Sequence, residues 1–178
     1  MTVYQMTVCA IMAALMCVLG PISIPIGPIP VSLTIFVIYL SVMLIGMKFT
    51  LVSYGIYILL GIFGLPVFSG YAGGVAKIAG PTGGYLLGFI FMIIIGGLVR
   101  EKKKDKPVII GIGMVIGLIV DYVFGTAWFV IEMQAGIGYA LSVCVWPFIP
   151  FDIIKIVLAI VIGKAVGKAL GKAGLEVQ

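Results

Sequence analysis

The chain has 178 residues, of which 63% are hydrophobic and 10% are charged. Soluble domains are about 45–50% apolar and about 25% charged, so this composition excludes a soluble globular fold and indicates a membrane protein. The sequence contains no His and no Asn, which excludes His-based acid–base chemistry, Zn–His sites and Asn contacts. The net charge of +5 lies mostly in short clusters between apolar segments, without the basic and aromatic stripe of a nucleic-acid-binding surface.

Six segments are apolar enough to be spanning helices, which need about 20 mainly apolar residues. They cover about 3–20, 31–47, 50–65, 83–100, 108–130 and 148–170. The second and third are divided only around Gly46-Met47-Lys48, and a five-helix alternative would merge them into one span that is far too long for a bilayer. The first segment lacks a basic n-region, so we do not expect a cleaved signal peptide. The chain is predicted to form a single membrane domain over 1–178.

The orientation of these helices follows from the basic residues, which are in excess in cytoplasmic loops. With the cluster between the fourth and fifth helices inside, both termini are predicted to be cytoplasmic. Lys77, in an outer loop, and Lys155, within the sixth helix, are the exceptions. The residues placed inside are Lys48, Arg100, Lys102, Lys103, Lys104, Lys106, Lys164, Lys168 and Lys172.

Three connections then lie on the outer side, at about 21–30, 66–82 and 131–147. The first is rich in proline, which favours an extended path. The second is rich in glycine, which allows the backbone to approach a ligand or a helix closely. Because these connections are apolar, we expect them to pack over a ligand pocket that faces outward. The predicted fold is therefore an all-α integral membrane protein with six transmembrane helices and an outward-facing pocket under apolar loops.

Ionisable residues inside a membrane are functional candidates because their burial is costly. Asp152 and Lys155 are three residues apart, hence on one helix face. Their spacing fits equally a polar ligand clamp and an internal ion pair that reaches toward the interface. For Asp121, beside Tyr122, we favour a helix–helix contact over a position in the cavity wall. Lys77 either attracts an anionic solute or is simply exposed.

The first helix carries Ala10 and Ala14, a pair of small residues four apart that lets another helix approach closely in lipid. The spacing alone fits packing within the chain as well as it fits contact with a partner protein.

No residues indicate metal or nucleotide chemistry. Cys9, Cys17 and Cys144 lack the spacing of metal ligands and are expected to behave as small hydrophobic residues. A Gly-x-x-x-x-Gly-Lys-Ser/Thr phosphate loop is absent, so this chain is not expected to hydrolyse ATP. We predict that it is not an enzyme, that it needs no cofactor and that it binds no metal.

Several stretches resemble one known family. The main ones are Gly64-Leu65-Pro66-Val67-Phe68, Gly73-Gly74 and Gly80-Pro81-Thr82-Gly83-Gly84-Tyr85-Leu86. Supporting ones are Pro28-Ile29-Pro30-Val31-Ser32 and the run from Pro147 to Lys155. Together they resemble the biotin-specific substrate-capture (S) component of energy-coupling factor (ECF) transporters, the BioY family.

The resemblance implies a six-helix protein in the bacterial plasma membrane that captures biotin from outside. Family members depend on a transmembrane coupling subunit and two ATPase subunits for import, and the resemblance assigns Ala10 and Ala14 to contact with the coupling subunit. An S component for another vitamin, a stand-alone secondary transporter and an intramembrane enzyme remain as alternatives.

The resemblance also implies roles for individual residues. Asp152 would accept hydrogen bonds from the ureido N–H groups of biotin, and Lys155 would contact the ligand carboxylate or Asp152 itself. Lys77 is expected to replace one of the amide and guanidinium groups that contact ligand in some relatives. The remaining residues would bind the ureido carbonyl, close the lid or stack on the ring system: Phe68, Thr82, Gly83, Gly84, Tyr85, Tyr122 and Trp128.

Overall fold

The computed structural model describes residues 1–103 and 106–175. Lys104, one of the basic residues predicted to be cytoplasmic, lies outside the described residues. The helices are α1 (Val3–Leu19), α2 (Thr34–Ile62), α3 (Val75–Ala79), α4 (Gly83–Lys102), α5 (Pro107–Met133), α6 (Ile137–Cys144) and α7 (Ile149–Lys172). Two strands, β1 (Ser23–Ile26) and β2 (Ile29–Ser32), pair antiparallel between α1 and α2.

The fold is mostly helical, with one correction to the all-α prediction. The segment at 21–30, expected to be extended, forms part of a two-stranded hairpin in which Pro25 faces Pro30. Gly27 has φ 77° and begins the two-residue turn, a position that favours glycine. Proline is tolerated because a two-stranded hairpin has only edge strands, where a missing N–H donor costs little.

Helix α2 reverses direction at Gly46, where φ is 76° and ψ is −179°. Thr34 and Tyr57 line the same cavity, although a straight helix rising 1.5 Å per residue would separate them by about 35 Å. α2 therefore consists of two helical segments that fold back on each other. Their boundary lies where the sequence placed the division between the second and third predicted helices.

The end of α4 supplies hydrogen-bond partners to the backbone at this reversal. Arg100 donates from Nη2 to the carbonyl of Met43 at 2.8 Å, and the Met47 N–H donates to Glu101 Oε1 at 3.3 Å. A helix break leaves backbone N–H and C=O groups without helical partners. The pair Arg100-Glu101 satisfies one group of each kind.

Three helices among the described residues, α2, α4 and α5, are individually long and apolar enough to cross a membrane. The pair α6 and α7, bent by 43°, would count as a fourth if it formed one span. Helix α1 is apolar but has only 17 residues. The six predicted crossings, and the side on which the termini lie, therefore remain predictions.

Glycines bring α4 and α5 into close contact. A Cβ at Gly88 would lie 2.2 Å from Oδ1 of Asp121, and one at Gly113 would lie 2.6 Å from Cβ of Val99. Small residues of this kind allow helices to pack closely in lipid. The buried faces of both helices border a cavity at the end of the bundle that carries the β-hairpin, which we call the hairpin end.

Candidate ligand-binding site

A cavity of about 50 Å³ lies at the hairpin end. Its wall comes from β2, both segments of α2, α4, α5 and α7, and from the loop that joins α2 to α4. Most of the lining is apolar, with Ile29, Ile35, Phe89 and Phe148 among its buried side chains. The space is smaller than the ~300–1,000 Å³ of pockets that hold organic ligands, so such a ligand requires lining groups to move.

The polar centre of the cavity is a cluster of three side chains on α5 and α7. Nζ of Lys155 lies 2.8 Å from Oδ1 of Asp152, and the Tyr122 hydroxyl donates to Oδ2 at 2.6 Å. Asp152 is 0% exposed and Lys155 only 7%. The structure thus brings Asp152 and Lys155 together as a buried ion pair at the cavity, not as charges extended to the protein surface.

This cluster keeps unused hydrogen-bonding capacity. A carboxylate offers about four lone-pair positions and an ammonium three N–H donors. The contacts just described use two of the positions on Asp152 and one donor of Lys155. The pair can therefore accept N–H groups at Asp152 and donate to an oxygen from Lys155 without breaking either bond.

The loop between α2 and α4 adds polar groups to the cavity wall. Lys77, on α3, is half-buried and lines the cavity. Desolvation by this burial lowers the pKa of the Lys77 ammonium. Thr82 and Tyr85 also line the wall, and the Tyr85 hydroxyl lies 3.2 Å from Oγ1 of Thr126.

Phe68, in the same loop, covers part of the cavity. Its side chain is fully buried, and its ring centroid lies 5.4 Å from that of Tyr57 in an edge-to-face arrangement. Gly61 leaves the space that the ring occupies, since a Cβ there would lie 2.0 Å from Cζ of Phe68.

The structure places Gly83, Gly84 and Trp128 outside the lining of this cavity, although the sequence grouped them with its ligand contacts. A Cβ at Gly83 would lie 1.7 Å from the carbonyl oxygen of Ile78, and one at Gly84 would lie 2.3 Å from Cβ of Trp128. Nε1 of Trp128 donates to the carbonyl of Gly80 at 3.1 Å. These residues hold the loop against α4 and α5 behind the cavity wall.

Asp121 lies both at the contact between α4 and α5, the position favoured from the sequence, and in the cavity wall, the alternative. Asp121 lines the cavity, is 0% exposed, and both of its carboxyl oxygens lack a hydrogen-bond partner within the described part of the chain. The sequence feature that indicates the buried position of Asp121 is its place in a four-residue repeat on α5 with Gly113, Gly117 and Gly125, all of which are buried. A carboxyl in a stripe of glycines faces a neighbouring helix at close range.

Comparison with known proteins identifies the family. A family model described as the BioY family matches residues 1–172. The chain belongs to the BioY family. A relative named biotin transporter BioY, from Thermotoga maritima, is 40% identical over 156 residues, which cover 87% of this chain and 90% of the relative. A probable biotin transporter BioY from Pyrococcus horikoshii is 36% identical over 151 residues, covering 85% and 88%.

A solved crystal structure has the same fold. It is the crystal structure of the S-component for biotin from an ECF-type ABC transporter, with a TM-score of 0.87 and 31% sequence identity. The match covers 94% of this chain and 95% of that chain. The resemblance predicted from the sequence motifs is thereby confirmed at the level of family and fold.

The two alanines assigned to a partner lie on the free side of α1. Ala10 and Ala14 are exposed, whereas Cys9, Met12 and Met16 on the same helix are buried. The first turn of α1 is fixed by Thr2, whose hydroxyl accepts the Gln5 N–H.

No group of three or more His, Cys, Asp or Glu side chains that could hold a metal occurs among the described residues.

Proposed function

We propose that this BioY-family protein is the high-affinity biotin-binding S component of an ECF-type importer. It works as a transport protein in the bacterial plasma membrane, where it receives biotin from outside and passes it inward together with a coupling subunit and two ATPase subunits. The observation that carries the proposal is the buried cluster of Asp152, Lys155 and Tyr122 at a mostly apolar cavity. The relatives are named as biotin transporters, which supports biotin as the ligand.

The cluster matches the polar end of biotin. The ureido ring presents two N–H donors and one carbonyl, and its neighbour, the tetrahydrothiophene ring, is apolar. The free lone pairs of Asp152 would accept an N–H, and Lys155, already bonded to Asp152, would donate to the ureido carbonyl. Hydrogen bonds to charged groups contribute about 1.5–3 kcal/mol each, which is enough for strong discrimination.

The apolar wall and the loop suit the remainder of the molecule. Phe68, Phe89 and Phe148 offer apolar surface to the ring and the valerate chain. Lys77, on the loop side of the cavity, would attract the carboxylate at the end of the chain. Because the cavity is small, the loop that carries Phe68 and Lys77 is the segment that would move to admit the ligand. Direct contacts from Thr82, Tyr85, Gly83, Gly84 and Trp128 remain predictions.

The proposed topology has six crossings with both termini in the cytoplasm and the hairpin end outside. It is supported by the basic residues around the α2 reversal and between α4 and α5, which would then face the cytoplasm. Exposed Ala10 and Ala14 on α1 are available to pack against a helix of the coupling subunit.

Calorimetric titration of the detergent-purified protein with biotin tests the ligand, with thiamine and riboflavin as controls. We expect tight one-to-one binding of biotin and no heat from the other two vitamins. Binding of thiamine or riboflavin in preference to biotin would show that the protein is an S component for another vitamin. Uptake by proteoliposomes, measured with and without the coupling and ATPase subunits, tests the importer: uptake driven by an ion gradient alone would contradict it.

A further inference from the structure

The cavity holds a second carboxyl group, Asp121 on α5, that takes no part in the Asp152 cluster. Its side chain is fully buried at the cavity wall, and neither oxygen has a hydrogen-bond partner in the part of the chain that the structure describes. Nearly all buried polar groups in folded proteins are hydrogen-bonded. An unpaired carboxyl in a cavity wall therefore marks a position where a bound molecule can supply the missing partner.

Among the described residues, the helix that faces Asp121 places no polar group within hydrogen-bond distance of its carboxyl oxygens. Across the interface lies Gly88 of α4, so close that a Cβ there would be 2.2 Å from Oδ1 of Asp121. A helix–helix contact, which the sequence favoured, would require a donor on α4 to satisfy the carboxyl. The described residues place none within hydrogen-bond distance.

The charges around Asp121 make its neutral form the stable one. The ammonium of Lys155 is bonded to Asp152, and Lys77 lies in the loop. An ionised carboxylate without hydrogen bonds or a counter-charge is strongly disfavoured in a buried site. The ionisable groups that interact electrostatically with Asp121 are Asp152 on α7, Tyr39 and Tyr54 on α2, Tyr85 on α4 and the neighbouring Tyr122.

The two carboxyl groups of the cavity thus have different environments. Asp152 accepts hydrogen bonds from an ammonium and a phenol hydroxyl, which stabilise a carboxylate charge, whereas neither oxygen of Asp121 has a partner among the described residues, so burial favours its neutral form. Opposite protonation states of two nearby carboxyls are a common way for one site to combine a donor with an acceptor.

We propose that Asp121 is a further ligand-binding residue, which as a neutral acid binds one edge of a cyclic urea. Its O–H donates to the urea carbonyl, and its C=O accepts the adjacent N–H. A five-membered cyclic urea holds these two groups side by side, so they match the two oxygens of a carboxylic acid. Asp152 accepts the other N–H. The assignment deepens the proposed function and rests on it.

Calorimetric titration of three purified proteins with biotin tests the assignment: the wild type, Asp121→Asn and Asp121→Ala. An Asn amide is neutral, has the same shape and offers both a donor and an acceptor, so Asp121→Asn should bind within about threefold of the wild type. Asp121→Ala loses two neutral hydrogen bonds and should bind about 10- to 100-fold more weakly. Ser41→Ala is the matched control, because the Ser41 hydroxyl is also buried without a partner among the described residues but does not line the cavity.

Each outcome has a distinct meaning. Equal affinity in all three proteins would overturn the assignment and leave Asp121 with a packing role only. Equal and large losses in both variants of Asp121, with the Ser41→Ala control unchanged, would show that a carboxylate anion is required and would overturn the neutral-acid role. Failure of the wild type to bind biotin would overturn the proposed function and this assignment together.

Infrared spectroscopy provides a readout that does not depend on affinity. The wild type should show the carbonyl stretch of a protonated carboxyl group, and the band should shift when biotin binds. Asp121→Asn should lack this band, whereas Ser41→Ala should keep it. A wild-type spectrum without such a band at neutral pH would overturn the assignment, even if the variants bind biotin weakly.

Discussion

Replacement of Lys155 by methionine should destabilise the protein more than the simultaneous replacement of Lys155 and Asp152. The Lys155→Met side chain has a similar length but leaves Asp152, which is 0% exposed, with the Tyr122 hydroxyl as its only side-chain partner among the described residues. Removal of one partner from a buried ion pair costs about 3–5 kcal/mol, because an uncompensated charge remains in the interior.

The double variant Asp152→Asn/Lys155→Met removes both charges and should recover most of that loss. The carbonyl of the introduced amide can still accept the Tyr122 hydroxyl, and the cavity of about 50 Å³ has room for water beside it. We expect the double variant to lie within about 1–2 kcal/mol of the wild type, since a buried pair contributes little net stability relative to neutral replacements. Its affinity for biotin should nevertheless fall by at least about tenfold, because the charge-assisted bonds are gone.

Equilibrium unfolding by a denaturing detergent, followed by aromatic fluorescence, measures these differences, and titration calorimetry measures binding. Lys164→Met is the matched control, since Lys164 is exposed on the same helix and its replacement should change the free energy of unfolding by less than about 0.5 kcal/mol. If Lys155→Met is as stable as Lys164→Met, Asp152 does not depend on Lys155 for its charge, and the ion-pair description of the site fails.

Three further predictions concern the partner surface, the loop and the packing of α4. Ala10→Trp should leave biotin binding unchanged but prevent co-purification with the coupling subunit, while Ile119→Trp, on the exposed side of α5, should allow it. Biotin affinity should fall at alkaline pH in the wild type and change less in Lys77→Met: the ammonium attracts the ligand carboxylate only below its pKa, which burial lowers. Gly84→Ala should cost about 1–3 kcal/mol of stability, because its Cβ would lie 2.3 Å from a side-chain atom of α5; Gly55→Ala, with open space around it, should instead be stabilising.

These predictions can fail separately. Normal assembly of Ala10→Trp would place the coupling subunit elsewhere on the surface. A parallel fall of affinity with pH in wild type and Lys77→Met would assign the titration to another group. Unfolding curves showing Gly84→Ala to be as stable as Gly55→Ala would mean that the close contact between α4 and α5 relaxes at little cost.

The sequence predicted the local features of this protein well because they depend on neighbouring residues. The spacing of Asp152 and Lys155 placed them on one helix face, and the structure shows them bonded. The short polar interruption after Gly46 marked a change of direction, and a residue with φ 76° stands there. In both cases, the relevant geometry extends over only a few neighbouring residues.

Features that join distant parts of the chain were not predictable in the same way. Nothing in the sequence indicates that the Tyr122 hydroxyl donates to Asp152, thirty residues later, and the stacking of its ring on a ligand stays a prediction. Gly83 packs closely against Ile78 and Gly84 against Trp128, contacts that the sequence does not indicate, and the predicted contacts of these glycines with a ligand stay a prediction. A glycine permits close approach by any neighbour, and only the tertiary arrangement determines which neighbour approaches.

Asp121 and Asp152 show why the protonation of a membrane site must be argued from its contacts. Both are aspartates that line one cavity, and both are fully buried. Asp152 has an ammonium at 2.8 Å and a phenol at 2.6 Å, which stabilise its charge. Asp121 faces a glycine and neither of its carboxyl oxygens has a hydrogen-bond partner among the described residues, so burial favours its neutral form. With Asp121 neutral, as proposed, the site offers an anionic acceptor at Asp152, ammonium donors at Lys155 and Lys77, and one neutral donor–acceptor pair. The donors and acceptors at Asp152, Lys155 and Asp121 complement a urea, and Lys77 remains available to the carboxylate of biotin.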